Sequence, residues 1–178
     1  MHDSNVAISI KPTHGADWPV VGEGVFSWSV FRFYRARLLS ETGLFDPAQP
    51  YRLEVHYLRR LTASQIANVT CAEIKRLALL GVQCCVDLPA EKIDSWAQKL
   101  EQFLPDVTLN DQLIGVFKPG EGVRFFDAKQ ELGLINESAF AKAFTAIWLD
   151  PQTRAPKLRS ELLKNSRHQG VEVGKSSP

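Results

Sequence analysis

The chain has 178 residues, a net charge of +1 and 44% hydrophobic residues, the profile of one ordinary globular domain rather than a disordered or fibrous chain. A chain of this length buries roughly 70% of its unfolded surface, so a core requires neither a metal nor a disulfide. Near-neutral charge gives no electrostatic footprint for nucleic acid, and no apolar run approaches the roughly 20 residues of a membrane-spanning helix, so nucleic-acid and transmembrane readings are excluded.

Residues 1–20 read as an irregular lead-in broken by Pro12, Gly15 and Pro19. No basic segment precedes an apolar one there, so a cytoplasmic protein is expected, or a periplasmic one if an export signal has been removed. The domain proper spans residues 21–165. It opens on Gly24 to Leu39, which is dense in Phe, Trp, Val and Tyr and reads as one long strand. Phe26, Trp28 and Val30 share one parity and Phe31 and Phe33 the other, so a bulge near Val30 or burial of both faces is expected. Arg32, Arg35 and Arg37 flank Tyr34 in its second half. They either face solvent and surface acids, or, on a covered face, require an anionic partner.

A turn cluster from Glu41 to Pro50 precedes a strand in which Tyr51, Leu53, Val55 and Tyr57 alternate with Arg52, Glu54 and His56, one face dry and one wet. His56 on the wet face reads as a surface histidine. Thr62 and Gln65 form a capping box that opens a helix, whose apolar stripe is Ile66, Val69, Ile74, Leu77 and Leu80, up to Gly81. A second helix follows Asp87 and Pro89 and buries Ile93, Trp96, Ala97, Leu100, Phe103 and Leu104. Strands at Gln112 to Lys118, Val123 to Asp127 and Glu131 to Ile135 come next. Asn136 then caps a helix carrying Phe140, Phe144, Ile147 and Trp148, and a last helix carries Leu158, Leu162 and Leu163. Residues 166–178 read as a disordered tail. The order predicts an α+β domain with a large antiparallel sheet covered by helices on one face.

The residues offer little conventional chemistry. There is no G-x-S-x-G elbow, metal-binding cysteine motif or dinucleotide fingerprint, so no cofactor is expected. Cys71 falls inside the first helix, where a buried, inert thiol is the common state. The adjacent Cys84 and Cys85 are poorly placed to bond to each other, and reduced thiols are the simpler reading. Asp106, Asp111, Asp127 and Asp150 lie beside turns, where carboxylates cap backbone N–H groups.

The segments GVFSWSVFRFYRARLL, FDPAQPYRLEVHYLRRLTASQIA, LPDVTLNDQLIGVFKPGEGVRFF and FAKAFTAIWLDPQTRAPKLRSELL together resemble the bacterial chalcone isomerase-like family. The resemblance covers about Gly22 to Leu163 and implies an open-faced β-sandwich with an apolar cleft between sheet and helices. In the plant enzymes of that fold an arginine follows the Gly-Val pair; here Phe26 follows Gly24-Val25. Their tyrosine and asparagine, seven residues apart after a Leu-Thr pair, correspond to Ile66 and Glu73. Their strand threonine falls near Phe33 and a later hydroxyl residue at Leu132. Ketone activation needs preorganised donors, each worth on the order of a hundredfold in rate. The resemblance therefore implies no chalcone cyclisation and a non-catalytic protein. The expected partner is a fatty acid or other small apolar ligand, bound among Phe26, Phe33, Ile66, Glu73 and Leu132, with Arg32, Tyr34 or Arg35 replacing the missing carboxylate-binding groups. The alternatives are an isomerase or lyase of unrecognised chemistry and an interaction or structural protein whose cleft is filled by its own side chains.

Overall fold

The computed structural model describes residues 17–166; most of the lead-in and the tail beyond Ser166 lie outside the described residues. Six strands, β1 (Val20–Trp28), β2 (Phe31–Ser40), β3 (Tyr51–Tyr57), β4 (Gln112–Lys118), β5 (Gly122–Phe126) and β6 (Glu131–Ile135), form one antiparallel sheet in sequential order. Helices α1 (Ala63–Leu79) and α2 (Ala90–Phe103) lie between β3 and β4 in sequence, and α3 (Ser138–Leu149) and α4 (Pro156–Leu162) follow β6.

The strand alternation sets the core. Leu38, Leu53, Gly115 and Phe125 stand opposite one another across β2 to β5, as do Tyr51, Phe117 and Val123 across β3 to β5. The side chains of both rows, Gly115 having none, belong to one buried cluster with Ile74 and Leu77 of α1, Trp96 and Leu100 of α2, and Phe140 of α3. Trp96 is fully buried and meets the Phe140 ring edge-on at 5.2 Å. Burying each such side chain contributes roughly 1.5–3 kcal/mol. At the β1 edge, α4 approaches so closely that a Cβ at Gly22 would lie 2.1 Å from the Glu161 carbonyl oxygen. Glycine is what permits this contact.

Several expectations are corrected. The stretch from Gly24 to Leu39 is two strands, because Ser29 takes φ 56° and reverses the chain so that Trp28 pairs with Phe31. The parity change at Val30 is therefore a hairpin turn, and the register shifts of this pair lie between Val20 and Gly22 and between Phe26 and Ser27. The expected wet face of β3 is buried: Arg52 and Glu54 are 6% and 4% exposed. Being a central strand, β3 has neighbours on both sides, and Glu54 pairs with Arg52 and, at 3.3 Å, with Arg37 on β2. Such partners offset the desolvation of a buried carboxylate. His56 is half-exposed, with its Nε2 3.3 Å from Gln112. Val69 and Leu80 are exposed rather than core. The helical cap expected at Asn136 falls one residue later, at Glu137, which makes no capping hydrogen bond and pairs instead with Lys92 and Lys99. Strand β5 runs one residue earlier than the expected Val123 to Asp127. The capping box of Thr62 and Gln65 forms as expected, and Cys71, Cys84 and Cys85 are all free thiols.

Candidate functional site

The helix-facing side of β2 and β3 and the inner faces of α1 and α3 do not close completely. They leave a cavity of about 260 Å³, bounded at one end by the loop Thr153–Ala155. Its walls follow from strand and helix periodicity: Tyr34, Val55 and Tyr57 come from the sheet, Ile66 and Glu73 from α1, and Phe144 and Trp148 from α3. The aromatic rings brace one another, Phe26 stacked on Tyr34 at 5.1 Å and Tyr34 against the edge of Trp148 at 5.3 Å. Such pairs prefer offset-stacked or edge-to-face geometry, which favours a preshaped wall.

The polar groups gather at one end. Glu73, on α1, accepts hydrogen bonds from Arg76 Nε at 2.9 Å and from Arg154 Nε at 2.7 Å. Arg76 Nη2 also donates to the Gln152 carbonyl at 2.9 Å, fastening the Arg154 loop to α1. Thr153 Oγ1 donates to the Ile147 carbonyl at 2.7 Å and accepts from the Ala155 N–H at 3.2 Å. Two guanidinium groups against one carboxylate leave one net positive charge. Arg154 uses only Nε, and among the described residues its Nη1 and Nη2 make no hydrogen bond. A guanidinium carries five N–H donors in a planar fork, so the outer pair is available for a carboxylate. Val69 and Arg154 line the cavity and are exposed, which places its mouth between α1 and this loop.

Inside, burial pushes the Tyr34 phenol well above its ordinary value, with Tyr57 and the Glu73 carboxylate acting in the same direction. Burial does the same to Tyr57. Both stay protonated across the accessible pH range, and Tyr34 presents a neutral O–H donor. Among the described residues no three His, Cys, Asp or Glu side chains converge as metal ligands.

Of the side chains singled out in the sequence, Phe26, Phe33, Tyr34, Ile66 and Glu73 line the cavity together. Arg32 and Arg35 do not; both are exposed. With Tyr34 and Ala36 turned to the helices, strand alternation sends Arg35 to the opposite face. Leu132 packs against the core on β6, the edge strand remote from β1 and β2, and is not part of the lining. Sequence reasoning missed Arg154. Its only linear signal is that it directly follows the Asp150-Pro151-Gln152-Thr153 run.

Known proteins share this architecture. The fold superposes on the crystal structure of a fatty-acid binding protein of Arabidopsis thaliana with a TM-score of 0.65, at 9% identity, covering 85% of this chain and 89% of that one. A protein of Haemophilus influenzae described as uncharacterized is 28% identical over 160 residues, 88% of this chain and 74% of its own length. A family model described as chalcone isomerase-like matches residues 12–164. The chain belongs to the chalcone isomerase-like family.

Proposed function

We propose that this protein is a non-catalytic binder of a fatty acid or similar single-chain apolar carboxylate. The observation that carries the reading is an aromatic and aliphatic cavity of about 260 Å³ with an arginine fork at its mouth. That volume approaches the roughly 300–1,000 Å³ of typical small-molecule sites, and it favours binding over a cleft filled by its own side chains. The acyl chain lies among Phe26, Ile66, Phe144 and Trp148, while the carboxylate meets Arg154 Nη1 and Nη2 and the Tyr34 hydroxyl. Glu73 orients Arg154, and Arg76 offsets its charge so that a ligand carboxylate is not repelled. The fatty-acid binding function of the Arabidopsis structural relative supports the same class of ligand.

Catalysis of chalcone cyclisation is not part of this reading. At the positions matched to the plant enzymes Phe26, Phe33 and Ile66 carry no polar side-chain group and the Glu73 carboxylate, held by two arginines, is an acceptor; the donors that the cavity does hold, Tyr34 and Arg154, are assigned to the ligand carboxylate. Purified protein is expected to form flavanone from chalcone no faster than the spontaneous reaction; a clear acceleration would restore an enzymatic reading. Binding is tested by thermal shift with a saturated fatty acid and with the primary alcohol of equal chain length. The acid is expected to raise the melting temperature more than the alcohol. No shift with either would overturn the proposal.

A further inference from the structure

The β1–β2 hairpin tip carries an apolar surface that the cavity does not use. Trp28, Val30 and Phe31 are 55%, 85% and 59% exposed at the turn. The Leu58 N–H donates to the Phe33 carbonyl at 2.9 Å and the Asn110 N–H to the Tyr57 carbonyl at 2.9 Å, which brings the loops after β3 and before β4 to the same end of the sheet. The second loop adds exposed Leu109. Four exposed arginines surround this end: Arg32 and Arg35 on β2, and Arg59 and Arg60 after β3. Arg59 lies over the Phe33 ring at 4.8 Å and the Phe31 ring at 5.8 Å. Among the described residues no carboxylate pairs with any of the four. The neighbouring acids are otherwise engaged, Asp106 with the Ala63 N–H at 2.8 Å and Asp111 with the Thr108 N–H at 2.8 Å.

We propose that this tip docks the protein on an anionic lipid bilayer. Exposed Trp and Phe suit the headgroup boundary, where an aromatic ring finds both an apolar and a wet environment. Unpaired arginines around them meet the negative surface of the membrane. A protein partner would need both a shaped pocket for these side chains and carboxylates for the arginines, whereas an anionic bilayer meets the two together without a shaped complement. The geometry also joins the two surfaces: Phe33, beneath Arg59, lines the cavity and lies 5.8 Å from Phe26, so an aromatic path runs from the docked tip to the ligand space. A membrane-docked tip would place the cavity where apolar carboxylates partition.

Flotation of the full chain with vesicles tests this, using mixed phosphatidylglycerol and phosphatidylcholine against phosphatidylcholine alone. The wild type is expected to float with the anionic vesicles only, with tryptophan emission shifting to the blue and binding weakening as salt rises. Val30→Asp at the exposed turn should abolish flotation without lowering the melting temperature. Arg59→Glu and Arg60→Glu should each weaken binding by at least about fivefold. The proposal is overturned if the wild type stays in solution with anionic vesicles, or if V30D floats as well as the wild type. It is equally overturned if the wild type self-associates through the tip, is made monomeric by V30D, and ignores vesicles. Fatty-acid binding is read separately by thermal shift without vesicles, so failure of either claim leaves the other standing.

Discussion

Replacing Arg154 by Gln separates ligand recognition from stability. In the folded protein Arg154 is about half exposed and spends one donor on Glu73 at 2.7 Å. With the Glu73 side chain only 15% exposed the pair is half-buried and contributes about 1 kcal/mol, and Glu73 keeps Arg76 as a partner at 2.9 Å. The melting temperature of Arg154→Gln should therefore fall by only about 2–4 °C. Ligand affinity should respond differently, because the variant loses the paired donors proposed to meet the carboxylate. Hydrogen bonds to a charged group are worth about 1.5–3 kcal/mol, so the dissociation constant for a fatty acid should rise roughly 10- to 100-fold. The alcohol of equal length lacks the charge and should bind both proteins alike. Isothermal titration with the two ligands measures this directly. Equal affinity of wild type and R154Q for the acid would refute the assignment of Arg154, and equal losses for acid and alcohol would mean that the substitution had reshaped the cavity.

Two further outcomes follow from packing and thiol chemistry. Gly22→Ala forces a Cβ against the Glu161 and Leu162 carbonyl oxygens, 2.1 and 2.5 Å away, and moving α4 off β1 should cost about 2 kcal/mol, read as a melting temperature lower by about 4–8 °C; an unchanged value would contradict the packing of α4. A hydrogen bond from Cys85, at 3.6 Å, draws the Cys84 thiol down to about 7 despite its burial, whereas burial pushes Cys71 up to about 11. Since the thiolate is the reactive form, iodoacetamide at pH 7.5 should label Cys84 well before Cys71, and peptide mapping that found Cys71 labelled first would contradict the placement of both.

Local signals in the sequence were strong where one element specifies itself. Thr62 and Gln65 announce the start of α1, and the spacing of Ile93, Trp96 and Leu100 sets the buried face of α2. The hairpin has a weaker signal because its turn is Ser29-Val30. Two-residue hairpin loops ordinarily advertise themselves by Gly, Asn or Asp at positive φ, and here a serine bears that conformation. The burial of Arg52 and Glu54 depends on Arg37 from the neighbouring strand, which period-two alternation within β3 does not encode. The cavity divides the same way. The family resemblance places Phe26, Phe33, Ile66, Glu73 and Leu132 near a cleft and the change of strand face offers Tyr34; all but Leu132 line it. Arg154 sits in a loop without periodicity, and its role arises from Glu73, 81 positions away in the chain, a separation that no local pattern spans.

Native mass spectrometry of the gently purified protein, before and after addition of a long-chain fatty acid, tests the central claim most directly. A single-ligand adduct is expected, displaced by or formed with the added acid at one molecule per chain and weakened in R154Q. A spectrum showing only the bare chain before and after addition would contradict the binding function.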